Sequence, residues 1–333
     1  MMNTLNRKVT TRKQSGFALV ELLIAMLIGL VLVGGIMQIF SSSRQTHRVH
    51  EATARMQESG RMALEVISRD IRMADFWGCA SDLMNVVNNL NSAGTGYIDF
   101  GAGGVGGLEG ASGAADTLFL RGGFSSGLSV QPPYGPQASA NIKVPAGNDL
   151  EQGDIIFISD CTNADIFQVS NANPQSSGVL VHNTGSVTEP GNYNSTNPGC
   201  PGSNAHCLSK IYGADASVFN VQEIRYSIAP GSEGEPALFR NGDEYLDGIE
   251  DFQILYGEDT ASVGVANYYV PADQVVDMNN VVSIRFAVVT RSQDDNLTGG
   301  VNQQYSVLGE SRTAPDQRLR QTYMSTVTIR NRL

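Results

Sequence analysis

Glu21 is the residue of this chain whose position most demands a chemical role. The run from Phe17 to Phe40 is apolar over 24 residues, apart from Glu21 near its start and Gln38 near its end. A carboxylate inside a bilayer costs about 2.5 to 3.5 kcal/mol, so residues of this kind usually serve a function and have a partner. We expect the partner of Glu21 to be a positive charge on another subunit.

The residues before the apolar run predict how the chain is oriented. Residues 1–16 contain no acid and four cations: Arg7, Lys8, Arg12 and Lys13. The run is long enough to cross a hydrocarbon core about 30 Å thick, and the cations place the N-terminus in the cytoplasm. A cleaved secretory signal peptide is disfavoured, because the run is about twice the usual length and no small-x-small site closes it. A plain signal anchor would leave Glu21 unexplained.

The junction between these two segments has a more specific pattern. It reads Lys13-Gln14-Ser15-Gly16-Phe17-Ala18-Leu19-Val20-Glu21 and resembles the class III leader of type IV pilins and type II secretion pseudopilins. The resemblance implies that a prepilin peptidase cuts between Gly16 and Phe17 and that Phe17 is then N-methylated. It also implies that Glu21 pairs with the N-terminal ammonium of a neighbouring subunit during assembly.

Composition limits the remaining function classes. The 333 residues carry a net charge of −11, and loss of the four leader cations leaves 18 Lys and Arg against 33 Asp and Glu, or −15. Binding to a nucleic-acid backbone needs clustered cations, so nucleic acid is not an expected partner. Removal of residues 1–16 leaves 317 residues, enough for one large domain or two small ones beyond the membrane helix.

Helical spacing continues beyond the apolar run. Apolar residues recur every three or four positions: Val49, Ala52, Met56, Ala63, Ile67, Ile71 and Ala74. This periodicity predicts one helix from Phe17 to Asp75, roughly 90 Å long, in which Gly29, Gly34, Gly35 and Gly60 are points of weakness. A coiled coil over residues 41–74 is the alternative, but its apolar seam is poor in Leu and Ile.

The rest of the chain predicts a β-rich head. A glycine-rich flexible loop is expected at 94–113, and long surface loops at 171–210 and 292–315. Short β-like runs alternate with turn residues at 117–121, 154–159, 165–170, 178–181, 218–228, 237–240, 252–256, 281–290 and 321–330. The fold class is therefore α+β, with a long N-terminal helix packed on an antiparallel sheet. We divide the chain into a leader (1–16), a transmembrane or fibre-core helix (17–40), its amphipathic continuation (41–76) and a periplasmic or extracellular head (77–333).

The four cysteines are candidates for disulfide bonds, because a periplasmic head permits them. They are Cys79, Cys161, Cys200 and Cys207. Four cysteines can be paired in three ways. We favour the pairing in which Cys200–Cys207 closes a short loop, which leaves Cys79 to bond with Cys161. A zinc site with His182 and His206 is the alternative, but no pair has the CxxC spacing.

No motif of this sequence predicts catalysis. Gly123-Phe124-Ser125-Ser126-Gly127 fits the nucleophile elbow of hydrolases, which requires a following helix, but Pro132-Pro133 comes soon after. The glycines at 101–107 are not followed by the Lys-Ser or Lys-Thr of a phosphate loop. Acidic stretches at 243–248 and 294–295 lack the ligand spacing of a calcium loop. We expect no catalytic residue, cofactor or metal, and the chain is a substrate of two enzymes rather than an enzyme.

The C-terminal half carries a second resemblance. Its segments are Pro236–Asn241, Asp247–Gly257, Val281–Phe286, Val289–Ser292 and the ending Ser325-Thr326-Val327-Thr328-Ile329-Arg330-Asn331-Arg332-Leu333. They resemble the PilW group of minor pilins and, more distantly, the J-type pseudopilins of type II secretion. A membrane-anchored hydrolase that uses Ser125 is a remote third possibility.

The PilW resemblance implies a place and a set of partners. The chain would be a single-pass protein of the bacterial inner membrane, with its N-terminus in the cytoplasm and its head in the periplasm, and would then join a pilus fibre. It would help to initiate assembly and lie near the fibre tip. The implied partners are other minor pilins, the major pilin, the prepilin peptidase, the inner-membrane assembly platform and, as an optional partner, a tip adhesin.

Overall fold

The computed structural model of this chain describes residues 19–78, 86–100, 103–111, 113–123, 127–135, 140–184, 188–193 and 207–332. The chain forms two compact units, residues 1–51 and residues 52–333.

Helix α1 (Leu19–Met73) is the only described element of the first unit and continues into the second. Its most apolar window of 18 residues has a mean hydropathy of 2.7, and none of that window is buried. By length and composition this segment can cross a membrane. The helix ends at Met73, two residues before the predicted end, because Asp75 adopts a left-handed backbone with φ 61°.

Within the second unit, one face of α1 is buried. The buried positions recur at helical spacing: Met56, Gly60, Ala63, Val66, Ile67, Ser68, Asp70 and Ile71. The apolar residues from Ala63 to Ile71 join the largest hydrophobic cluster, which also contains side chains from both large sheets. Packing of this face, rather than helix propensity, therefore holds residues 52–73 of α1 against the head.

The larger sheet has nine strands. They are β1 (Val86–Asn88), β2 (Val105–Leu108), β3 (Thr117–Gly123), β4 (Leu128–Ser129), β6 (Ile155–Ser159), β7 (Ala164–Gln168), β9 (Ser217–Pro230), β10 (Pro236–Arg240) and β11 (Asp243–Asp247). The main order is β1-β7-β6-β9-β10-β11; β3 and β4 also pair with β9, and β2 pairs with β3. Among these described strands, only β1 and β7 pair in parallel.

The smaller sheet is antiparallel and holds the C-terminal third of the head. Its order is β13 (Tyr268–Val270), β12 (Ile249–Glu258), β14 (Val281–Arg291) and β17 (Arg320–Thr328). Two small antiparallel sheets have two strands each: β5 (Asn141–Lys143) pairs with β8 (Val179–Val181), and β15 (Gln304–Val307) forms a hairpin with β16 (Glu310–Thr313). A single turn of helix, α2 (Pro174–Ser177), precedes β8. Three 3₁₀ turns lie at Ala272–Gln274, Met278–Asn280 and Arg330–Arg332.

The predicted α+β class is confirmed, and each predicted strand is present within a few residues of its expected bounds. The expected flexible loop at 94–113 is wrong in part, because β2 lies inside it and pairs with β3. A Cβ at Gly107 would overlap the hydroxyl of Tyr256. Glycine is therefore needed there for a close approach between the sheets, and not for flexibility.

The two predicted surface loops are also more ordered than expected. The 292–315 region contains the hairpin of β15 and β16, whose Val307 packs on Ala287 and Val289 of β14. The 171–210 region contains α2 in addition to β8, the strand predicted at 178–181. The unexpected elements, α2 and the hairpin of β15 and β16, carry too few apolar residues for a periodic pattern, and the hairpin is stabilised by its contact with β14.

Candidate functional site

The apolar part of α1 is the first candidate site, because its large side chains are exposed throughout residues 19–40. A helix that is apolar all round is stable only in lipid or among other apolar helices. Glu21 lies in the first turn of this exposed segment, as the sequence predicted. A carboxylate in such surroundings favours a partner that brings a positive charge with it.

Several predicted site residues lie outside the described residues. They are Gly16, Phe17, Cys79, Ser125, Cys200 and His206. Cleavage after Gly16 and methylation of Phe17 therefore remain predictions. Cys161 and Cys207 each belong to a disulfide bond, but the favoured pairings Cys200–Cys207 and Cys79–Cys161 also remain predictions.

The junction between α1 and the nine-stranded sheet contains a buried ion pair that the sequence analysis missed. The carboxylate of Asp70 accepts a hydrogen bond of 2.6 Å from the Tyr226 hydroxyl and bonds of 3.1 and 3.0 Å from Nε and Nη2 of Arg240. Burial raises the pKa of Tyr226, and the hydrogen bond to Asp70 raises it further, so the hydroxyl stays protonated as a donor. This cluster joins α1 to β9 and β10.

The end of α1 is capped by the C-terminal end of the chain. The side-chain amide of Asn331 donates a hydrogen bond of 2.8 Å to the carbonyl of Ala74, and Arg332 contacts the carboxylate of Asp75. Asp75 also accepts a hydrogen bond of 2.6 Å from the indole of Trp77. The last carbonyls of a helix have no intrahelical partner, so this contact satisfies one of them. The terminal motif seen in the sequence thus has a structural role.

Gly60 is a close-packing position of α1. A Cβ at Gly60 would overlap the ring of Tyr323, which projects from β17. The sequence predicts a weak point of the helix at Gly60, but α1 continues without interruption through it. The missing side chain lets the helix lie directly on the smaller sheet.

A buried arginine network lies among β12, β14 and β17. The Arg320 side chain is fully buried and donates to Glu250 over 2.6 Å and to Asp316 over 2.5 Å. Arg291 also pairs with Glu250, and both Arg291 and Arg318 contact Glu235. Each buried charge has a partner, as a low-dielectric interior requires. The network ties the two sheets together and offers no free catalytic group.

The described residues do not assemble a metal or hydrolase centre. They contain no group of three or more His, Cys, Asp or Glu side chains that could hold a metal ion. The acidic stretch at 243–247 forms β11, and His182 packs on the ring of Phe167 at 4.9 Å. Beyond Gly127 the chain enters strand β4 rather than the helix that a nucleophile elbow needs.

Comparison with known families supports the assignments at both ends of the chain. Residues 225–331 match the family model of the type IV Pilus-assembly protein W, and residues 11–37 match the prokaryotic N-terminal methylation motif. No curated protein and no solved structure gives a significant match to this chain.

The two matches confirm the resemblance to PilW-type minor pilins. They indicate a pilin-type role, and similarity to a pilus-assembly family implies interaction with other pilus components. A prepilin leader followed by an apolar helix also fits anchoring in a membrane. The match over 225–331 includes Tyr226, Arg240, Arg320 and Asn331, which hold the head together and join it to α1.

Proposed function

We propose that this chain is a minor pilin of a type IV pilus, made as a single-pass prepilin of the inner membrane with its head in the periplasm. The observation that carries this proposal is the exposed apolar part of α1 directly after a class III leader pattern. Such a helix is stable first in lipid and then among the helices of a fibre core.

Processing prepares the helix for the fibre. Prepilin peptidase cuts the chain between Gly16 and Phe17, and the new amine of Phe17 is methylated. Glu21 then becomes the fifth residue of the mature chain and pairs with the N-terminal ammonium of a neighbouring subunit. Because the fibre core has a low dielectric, each of these charges needs the other.

The head contributes the specific contacts of a minor subunit. It initiates assembly with other minor pilins at the membrane platform and lies near the fibre tip, where a bulky head is most easily placed. The Asp70 cluster and the Asn331 cap keep residues 52–73 of α1 fixed to this head. Packing of that helical segment against neighbours therefore also positions the head.

Mass spectrometry of sheared, purified pili tests the proposal. We expect the chain to be present, to begin at Phe17 and to carry one methyl group on its N-terminal amine. Replacement of Gly16 by a bulky residue should leave the full-length precursor in the membrane. A chain that begins at Met1, or one that never enters the fibre, would contradict the proposal.

The alternative, a J-type pseudopilin of type II secretion, belongs to the same superfamily. The match over residues 225–331 to a pilus-assembly family favours the pilus. Deletion of the gene distinguishes the two machines: loss of surface pili with normal protein secretion is expected for a minor pilin, and the reverse for a pseudopilin.

A further inference from the structure

The distribution of lysines in this chain is unusual. The sequence has four lysines, of which Lys8 and Lys13 lie in the leader and only Lys143 and Lys210 lie beyond it. These two residues are 67 positions apart, yet both line one cleft of the head. In a chain with 33 acidic residues, both lysines of the proposed mature protein therefore lie along one cleft.

The cleft, which we name the lysine cleft, lies between β5 and the segment that follows Cys207. It encloses only about 20 Å³, room for about one water molecule, so a partner would bind across its surface rather than inside it. Besides the two lysines it is lined by Tyr134, Ile211 and Tyr212, among other residues. None of the described residues that line it is acidic. Its surface thus combines positive charge with apolar and aromatic side chains.

The walls of the lysine cleft are held in place by hydrogen bonds, one of them buried. The hydroxyl of Tyr212 donates to the buried carboxylate of Asp165 over 2.7 Å. On the other side, the amide of Gln131 donates to the carbonyl of Lys143 over 2.7 Å, which fixes the segment that carries Tyr134 to β5. A site with such walls is already formed before a ligand arrives, and this lowers the entropy cost of binding.

The two ammonium groups are available to different degrees. Lys143 is exposed on β5 and makes no ion pair with any described residue. Lys210 contacts the carboxylate of Asp160, whose side chain is only 2% exposed, while the Lys210 side chain is 36% exposed. An ammonium has three N–H donors. Lys210 can therefore keep its contact with Asp160 and still donate into the cleft.

We propose that the lysine cleft binds an acidic peptide segment of a neighbouring subunit in the fibre, with Lys143 and Lys210 donating to its carboxylates. The exposed Tyr134 and Ile211 cover the apolar part of that segment. The inference rests on the proposed function, because it needs the fibre. Charge complementarity supports it: opposite charges across an interface set its register and exclude wrong partners.

Carbodiimide cross-linking of sheared pili tests the inference. The reagent adds to a carboxyl group to form an O-acylisourea; a contacting lysine amine then attacks the acyl carbon, forms an amide bond and releases the reagent as a urea. Because the proposed mature chain has only two ε-amines, each cross-link through a lysine of this chain reports on this cleft. We expect a cross-linked peptide that joins Lys143 or Lys210 to an Asp or Glu of another subunit.

Two variants of the exposed Lys143 make the experiment specific. Lys143→Arg keeps the charge but removes the reactive amine, so cross-links at this position should vanish while the charge-dependent recovery of the chain in pili is largely retained. Lys143→Glu places like charges opposite each other, and recovery should fall on the order of tenfold. Equal recovery of Lys143→Glu and the wild-type chain would count against the inference.

The outcomes separate the inference from the proposed function. If the chain is present in sheared pili but neither lysine is linked to another subunit, the inference is overturned and the proposed function stands. If a polyuronate protects Lys143 from acetylation and no protein cross-link forms, the cleft is a saccharide site and the inference is likewise overturned. If the chain is absent from the pili, the proposed function fails and the inference fails with it.

Discussion

The side-chain amide of Asn331 donates a hydrogen bond of 2.8 Å to the main-chain carbonyl of Ala74, across 257 residues of sequence. The C-terminal end of the chain thereby caps the end of α1. Arg332 strengthens the same junction, since it contacts the Asp75 carboxylate and donates to the carbonyl of Val281 over 2.8 Å. The terminal segment is therefore part of the junction between the helix and the smaller sheet.

Removal of this cap should destabilise the head. Asn331→Ala leaves the Ala74 carbonyl without its side-chain donor, at an expected cost of about 1 kcal/mol in the free energy of unfolding. Thermal unfolding of the detergent-solubilised chain can be followed by the fluorescence of Trp77, the only tryptophan, which is buried at this junction. Arg330→Ala removes an exposed neighbour and is the matched control. Equal melting temperatures for the two variants would argue against a capping role.

The buried carboxylate of Asp70 should matter more than the cap. Asp70→Ala leaves the guanidinium of Arg240 and the hydroxyl of Tyr226 without their common acceptor. We expect a loss of about 2 to 4 kcal/mol in the free energy of unfolding, measured by urea denaturation. Glu65→Ala changes an exposed carboxylate on the same helix and should have little effect. A loss for Asp70→Ala no larger than that control would refute the role assigned to the cluster.

A substitution at Gly60 tests whether α1 packs so closely on β17 that no side chain fits between them. Gly60→Ala should raise helix propensity, yet it should destabilise the chain by about 1 to 3 kcal/mol, because the new methyl group overlaps the Tyr323 ring. In a Tyr323→Ala background the same substitution should cost much less. The measurement is a double-mutant cycle on unfolding free energies, and additive effects would rule out the predicted overlap.

Acid should weaken the arginine network of the head. Hydrogen bonding to Arg320, only partly opposed by burial, holds the pKa of Asp316 below its usual value. A carboxylate with a lowered folded-state pKa stabilises the fold above its unfolded pKa, about 3.9, and this contribution is lost as the pH falls through the folded value.

The corresponding variant is Asp316→Asn. We expect it to be less stable than the wild-type chain near neutral pH and to lose less stability as the pH falls below about 4. Asp243→Asn, at an exposed position of β11, is the control. Parallel curves of unfolding free energy against pH for Asp316→Asn and the wild-type chain would contradict this prediction.

Glu21 and Gln38 provide a matched pair within the apolar run. Glu21→Ala removes the proposed docking charge and should strongly reduce both surface pili and recovery of the chain in sheared pili. Gln38→Ala removes a neutral polar side chain from the same run and should leave recovery nearly unchanged. Immunoblots of sheared and membrane fractions measure both. Normal recovery of Glu21→Ala would exclude a role for this carboxylate in assembly.

Local patterns in the sequence predicted much of the fold correctly. The continuous apolar run and its helical extension predicted the C-terminal end of α1 to within two residues, because such periodicity depends only on near neighbours. Strands such as β9, β12 and β14 were also expected, because their apolar and β-branched residues cluster between turn residues. Strand β2 was missed because Gly106 and Gly107 make the segment look like a loop in the sequence. The small size of Gly107 instead allows a close contact with Tyr256, which is distant in the chain.

The sequence by itself therefore determined the leader, the apolar helix, the α+β class and the family resemblance at both ends of the chain. Only the tertiary structure decided which distant residues meet. It places Asn331 in hydrogen-bond contact with Ala74 and Asp70 in contact with Arg240. It also places Lys143 and Lys210 along one cleft. The physical reason is that secondary-structure patterns arise from short-range contacts, whereas these pairs depend on sheet register and on the face that the helix buries.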